Sequence, residues 1–162
     1  MGTVNAVPPS KGALRMTTTL ATPVPARTRP TVHIERTFRR SRKAVPQTRR
    51  FVREAITDHV PDDRADDILV CTSELATNAL QHTPPGRVLR VCVTITRGTL
   101  RLEMHDASDS TPQVREAAED DARGRGLLLV ATLADDWGTS LRDGPGKIVW
   151  AVFRLAAASR NA

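Results

Sequence analysis

The stretch "RVLRVCVTITRGTLRLEMHDAS", Arg87 to Ser108, sets two alternating runs around a two-residue break, Arg97–Gly98. Alternation at period two turns every second side chain to one face of a strand, and a short glycine-containing break joins two such runs as a β-hairpin. In the second run Leu100, Leu102 and Met104 share one face, and the same period carries Asp106 onto it. A strand pair with one apolar face must be covered by another layer. The rest of the chain therefore has to supply helices.

It does so on both sides of the hairpin. Upstream, "TVHIERTF" puts Val32, Ile34 and Phe38 on one side of an edge strand, interrupted by Arg36. "SRKAVPQTRRFVREAITDHV" comes next, with Pro46 in a first helical turn and a stripe of Val45, Phe51, Val52, Ala55 and Ile56. "PDDRADDILVCTSELATNALQHT" predicts a second helix, its acidic start matched to the helix dipole and its buried stripe formed by Ile68, Thr72, Leu75, Ala76 and Ala79. Pro84–Pro85–Gly86 ends it. Downstream, a polar segment leads to a third helix beginning near Gly124, with Leu127, Leu128, Val130, Ala131 and Leu133. "DDWGTSLRD" and "GKIVWAVFRL" then predict a second hairpin turning at Asp143–Gly144. The expectation is a two-layer α+β sandwich, a mixed, mostly antiparallel sheet with helices on one face, spanning residues 31–157. Residues 158–162 form a short tail.

The first 30 residues, rich in Pro, Thr and Ala and without amphipathic period, predict a disordered extension; they lack the continuous apolar core of a secretory signal. The formal charge of +6 suggests a nucleic-acid binder until its distribution is read. Residues 1–50 carry 11 Lys/Arg against 1 Asp/Glu, whereas residues 51–162 carry 13 against 17. The expected folded body is thus mildly acidic, and with 3% aromatic residues it is poorly supplied for base stacking. Direct nucleic-acid binding by the body is not expected. No run is long and apolar enough to cross a membrane. Cys71 and Cys92 stand far apart with no nearby Cys or His in sequence, which predicts reduced thiols in a cytoplasmic protein and no structural zinc. The cluster Arg39, Arg40, Arg42, Lys43 is either a solvated face or a patch for phosphate or a partner.

Three features carry chemistry. In "SELATNALQHT", Glu74, Asn78 and His82 recur at four-residue steps and so share one helix face, either as its wet side or as a site. Asp106 continues an apolar strand face, where a carboxylate either sits in a turn or needs a donor; a purine amino group would satisfy it. "ARGRGLLLV" enters a helix through glycines, which admit close backbone approach, and helix-start N–H groups attract phosphate. Arg123 and Arg125 add guanidinium forks matched to phosphate oxygens.

In combination and in this order, "ELATNALQHT", "HDASDSTP", "DDARGRGLLLVATLADDWG" and "GPGKIVWAVF" resemble the N box and three G boxes of the Bergerat-fold (GHKL) ATPases, which include gyrase, a heat-shock chaperone, histidine kinases and mismatch-repair proteins. Within that superfamily the chain is most similar to small actinobacterial ATP-binding proteins of the anti-sigma-factor serine/threonine kinase type, over roughly residues 35–156. The resemblance implies ATP and Mg²⁺ as ligands. It implies Glu74 as general base and Asn78 as the Mg²⁺-binding asparagine, with Asp106 accepting from the adenine amino group. Gly124 and Gly126 become the glycines beside the phosphates, and Ser108, Arg123, Arg125, Leu127 and Lys147 complete the nucleotide-contacting set. His82 packs or caps the helix end. The first glycine box reads Asp106–Ala107–Ser108–Asp109–Ser110 where many relatives have DxGxG, and the last reads Gly146–Lys147–Ile148 where many have Gly-Lys-Thr. The resemblance leaves two functions as expectations. One is a kinase that holds a sigma factor and phosphorylates an antagonist protein, in a family where homodimers are common. The other is a nucleotide-binding module that acts only by sequestering a partner.

Overall fold

Thr96 and Thr99 stand opposite one another across the predicted turn, their hydroxyls 2.6 Å apart, and Gly98 takes the positive φ of 82° that the turn demands. In this computed structural model the described residues are 32–96, 98–107 and 122–155, with side chains from residue 125 onward in the last segment. The elements run β1 (Val32–Arg39), α1 (Ala44–Ile56), α2 (Asp62–His82), β2 (Val88–Thr96), β3 (Thr99–His105), α3 (Ala122–Leu133), β4 (Asp136–Leu141) and β5 (Lys147–Arg154). The five strands lie in the order β1-β2-β3-β5-β4.

All four strand pairings are antiparallel, which corrects the mixed sheet expected from the sequence. The reason lies in the connections. Two helices between β1 and β2 return the chain to the end it left, so β2 runs back along β1. The one described helix between β3 and β4 makes β4 run parallel to β3, but β5 inserts between them and pairs antiparallel with both.

The core fills the space between the sheet and the helices. Leu89, Val91, Val93 and Ile95 of β2, Leu100, Leu102 and Met104 of β3, and Val149, Ala151 and Phe153 of β5 are all buried, each at period two. Against them pack Phe51, Val52 and Ile56 of α1 and Ile68, Thr72, Leu75, Ala76 and Ala79 of α2, the stripes the sequence predicts. Burying a side chain such as Leu75 contributes roughly 1.5–3 kcal/mol. Thr72 is tolerated there because its hydroxyl donates to the Ile68 carbonyl at 2.7 Å.

The second and third helices are fixed to each other by one arginine. Arg64, early in α2, donates to Asp67 at 2.7 Å, to the Leu133 carbonyl at the end of α3 at 3.0 Å, and to Asp135, while lying over the Phe153 ring. It thereby ties α2, α3 and the start of β4 together. The third helix starts at Ala122, two residues before the expected Gly124, and its apolar residues do not all face the core. Val130 is buried and Leu127 and Leu133 pack partly on the core, but Leu128 is 67% exposed and Ala131 is exposed. Six apolar residues in the seven positions 127–133 wrap most of a helix circumference, whereas α3 packs chiefly on α2.

Candidate functional site

Helix α2 lies across the core face of the sheet over β3 and β5 and against α3. Its polar stripe emerges at that junction. Glu74 and Asn78, one turn apart, are both half-buried, while His82 at the last turn is exposed. A side-chain carbon built at Gly126 would lie 2.5 Å from Glu74 Oε2 and 3.5 Å from its carboxyl carbon. The glycine is therefore what lets the Glu74 carboxylate lie directly against α3. One component of the helix-entry motif and one of the polar stripe are in contact.

A second candidate cluster forms where β3 ends beside β5. Asp106 is 1% exposed, on the core-facing side that Leu100, Leu102 and Met104 define. Its backbone N–H donates to the Lys147 carbonyl at 3.0 Å, and the Lys147 N–H donates to Asp106 Oδ1 at 3.1 Å. Lys147 Nζ stands 3.8 Å from Oδ2. Gly146, at φ 108°, presses so close to the Asp106 carbonyl that a side chain there would collide with it. The same carbonyl accepts from Arg142 at 2.8 Å. Carboxylate oxygens accept more than one hydrogen bond, so the Lys147 amide does not exclude a second donor such as an amino group.

Of the other residues expected to contact nucleotide, Arg125 is exposed and Leu127 half-buried in α3. Arg123 and Gly124 fall in the first turn of α3, their side-chain positions outside the described residues, and Ser108 lies outside them altogether. Two participants escape a reading of the sequence. Arg142 carries no signal as a single arginine in a loop. Gly146 is visible as half of Gly-Lys, but its contact with Asp106 requires β5 to pair with β3. A groove of about 380 Å³ between β1 and α1, lined by Arg36, Phe38, Gln47, Arg50, Phe51 and Glu54, lies on other elements and takes no part in this arrangement.

An open antiparallel sheet with helices on one face, an acid–amide pair on a helix under a glycine-bearing neighbour, and a buried aspartate locked to the last strand define an ATP-binding domain of the GHKL class. The chain belongs to the histidine kinase-like ATPase domain family, whose model matches residues 38–153. No curated protein is matched by the chain. The match falls within the domain expected over 31–157 and begins at Phe38, near the end of β1. Among the described residues no helix is long and apolar enough to cross a membrane.

The residues present suit a Mg²⁺–nucleotide pair. Glycines stand at two close approaches, Gly126 beside the Glu74 carboxylate and Gly146 beside the Asp106 backbone carbonyl. The donor set offered by Asn78 and Glu74 is oxygen-rich, as Mg²⁺ prefers.

Proposed function

We propose that this protein is an ATP- and Mg²⁺-dependent protein serine/threonine kinase of the anti-sigma-factor type, acting in the cytoplasm to regulate transcription by partner switching. The observation that carries the reading is the Glu74 carboxylate resting against Gly126 of α3, one helical turn from Asn78. That turn separates base and metal ligand by about 6 Å along the axis, at ~1.5 Å per residue.

Asp106, held by the Lys147 amide, accepts from the adenine amino group and sets the position of the nucleotide. Asn78 holds Mg²⁺ through its side-chain oxygen; the ion, when bound, neutralises phosphate charge. N–H groups at the start of α3 would receive the phosphates, with the guanidinium of Arg125 as a further donor. Glu74 takes the proton from a serine or threonine hydroxyl of the partner protein. The hydroxyl oxygen forms a bond to the γ-phosphorus in line with the breaking bond to the β–γ bridging oxygen, and ADP leaves.

Glu74→Gln is expected to abolish phosphotransfer to the antagonist while leaving ATP affinity within about twofold, because an amide fills the same space but takes no proton. Transfer at the native rate by this variant would remove Glu74 from the mechanism. A second reading is favoured by one observation, the absence of glycine from Ala107 to Ser110 in the first glycine box. It makes the protein a nucleotide-binding module that sequesters its partner without transfer. Labelled ATP separates the two: label on a partner protein supports the kinase, and bound nucleotide without label supports the module.

A further inference from the structure

The face of the sheet turned away from the helices carries a second concentration of reactive side chains. By strand alternation Glu35 of β1, Arg90 and Cys92 of β2, and Arg101, Glu103 and His105 of β3 point to that face. Pairing sets Cys92 opposite both Glu35 and Glu103, with His105 two residues further along β3. Cys92 Sγ lies 3.6 Å from His105 Nε2 and 3.5 Å from Glu35 Oε2, and His105 Nε2 lies 3.2 Å from Glu103 Oε2. The ligand atoms of Cys92, Glu103 and His105 all lie within 4.8 Å of one another. This overturns the sequence-based expectation that Cys92 has no ligand neighbours: the hairpin and β1 bring them from separate strands.

We propose that Cys92, His105, Glu103 and Glu35 form a zinc-binding site on the open face of the sheet, separate from the nucleotide site. Tetrahedral Zn²⁺, with bonds of about 2.3 Å to sulfur and about 2.0–2.1 Å to nitrogen and oxygen, requires its ligand atoms to stand roughly 3.3–3.6 Å apart. Three of the six ligand pairs, the two sulfur contacts and the His105–Glu103 contact, stand at that spacing or within about 0.1 Å of it, and Glu35, outside the compact group of Cys92, Glu103 and His105, swings in to complete the set. A thiolate, an imidazole and carboxylates together select zinc over Mg²⁺ or Ca²⁺, which prefer all-oxygen sets.

The surroundings are those of a supported site. Arg101 binds Glu103 Oε1 at 2.7 Å, turning Oε2 toward His105 and Cys92. Arg90 and Arg101 offset the net negative charge of a thiolate and two carboxylates around a dication. Zinc binding releases the thiol proton. It also moves the imidazole proton to Nδ1, so Arg90, now 3.2 Å from Nδ1, shifts to the Glu35 carboxylate, from which it stands 3.9 Å. Glu35, its side chain 51% exposed, is the ligand on the solvent side through which the ion enters.

The test uses the full chain, reduced and stripped of metal, titrated with Zn²⁺ by calorimetry and with Co²⁺ by absorption. One equivalent is expected to bind, with a thiolate-to-cobalt charge-transfer band. Cys92→Ser should remove the band and weaken zinc at least ~100-fold, and Glu35→Ala should weaken it at least ~10-fold. Cys71→Ser should change neither, since Cys71 is buried in the core, its thiol pushed up to about 12 by that burial. Absence of the band in the native chain, or a band that survives Cys92→Ser, overturns the proposal. Should Cys92→Ser fail to fold, Glu35→Ala decides: unchanged zinc affinity in that variant overturns the proposal equally.

Discussion

Three glycines in this protein do different work, and their substitutions should separate cleanly. Gly126 has helical backbone, and its nearest neighbour is the carboxylate at the end of the flexible Glu74 side chain. Alanine there is expected to leave the thermal midpoint unchanged or higher, since alanine exceeds glycine in helix propensity by about 1 kcal/mol. It displaces the Glu74 carboxylate, however, so on the proposed kinase function phosphotransfer should fall at least ~10-fold, part of what one general-base contact contributes. Gly146 combines φ 108° with a collision against the Asp106 backbone, which cannot swing aside. Gly146→Ala should cost about 1–3 kcal/mol by denaturant unfolding and weaken ATP binding as well. Gly144, at φ 93° with open space around it, is the control. Gly144→Ala should cost about 1 kcal/mol and spare nucleotide affinity. Equal loss of ATP binding in both variants would detach Gly146 from the site.

At the scale of elements, Arg64 and Asp135 form the junction where α2, α3 and β4 meet. Asp135 accepts from the Arg154 backbone N–H at 2.6 Å and from Arg64. The Arg154 N–H is the largest influence and, joined by Arg64, holds its carboxyl below the ordinary 3.8 against the opposing effect of burial. A lowered folded value means stability that is fully present above the unfolded value and lost as pH falls through the folded one. Asp135→Asn should therefore lower stability by about 1 kcal/mol at neutral pH, a figure already reduced for solvent screening of this partly exposed pair. The gap between native and variant should close as pH drops below about 4, read from thermal midpoints between about pH 6 and pH 2. A gap independent of pH would assign the loss to geometry rather than charge. On the open face, Glu103 shows the same contest with the same winner: burial pushes its carboxyl up, but the hydrogen bonds from Arg101 and His105 bring it down.

For the whole molecule, the sheet and the helices answer to different partners. The central strands β2 and β3 have neighbours on both edges and a core face filled by α1 and α2, so their amides should be the slowest to exchange with solvent. On the proposed function the nucleotide joins α2, α3 and the β3–β5 edge, so ligand binding would couple all three. With ATP and Mg²⁺ at about 100 times the dissociation constant, global stability should rise by ~2.7 kcal/mol. Asn78→Ala is expected to lose the magnesium-dependent part of that rise while keeping the metal-independent part through Asp106. Retention of the full increment by the variant would place the ion elsewhere.

Much of the fold is legible from residues near one another in the chain. The Arg97–Gly98 break and period-two alternation establish the β2–β3 register, and that register alone sets Cys92 opposite Glu103. The four-residue spacing in α2 puts Glu74 and Asn78 on one face, and the same helical logic names the buried stripe from Ile68 to Ala79. In α3 apolar residues run almost all round the helix, so its leucines have no preferred side until a neighbour is chosen. What only tertiary structure decided are the contacts between distant segments: Glu74 with Gly126, Asp106 with Gly146 and Lys147, Glu35 with Cys92. Periodicity is a property of local backbone geometry and can be read along the chain. Which strand lies beside which, and which helix closes over them, depends on burial summed over the whole core, and no local window contains that sum.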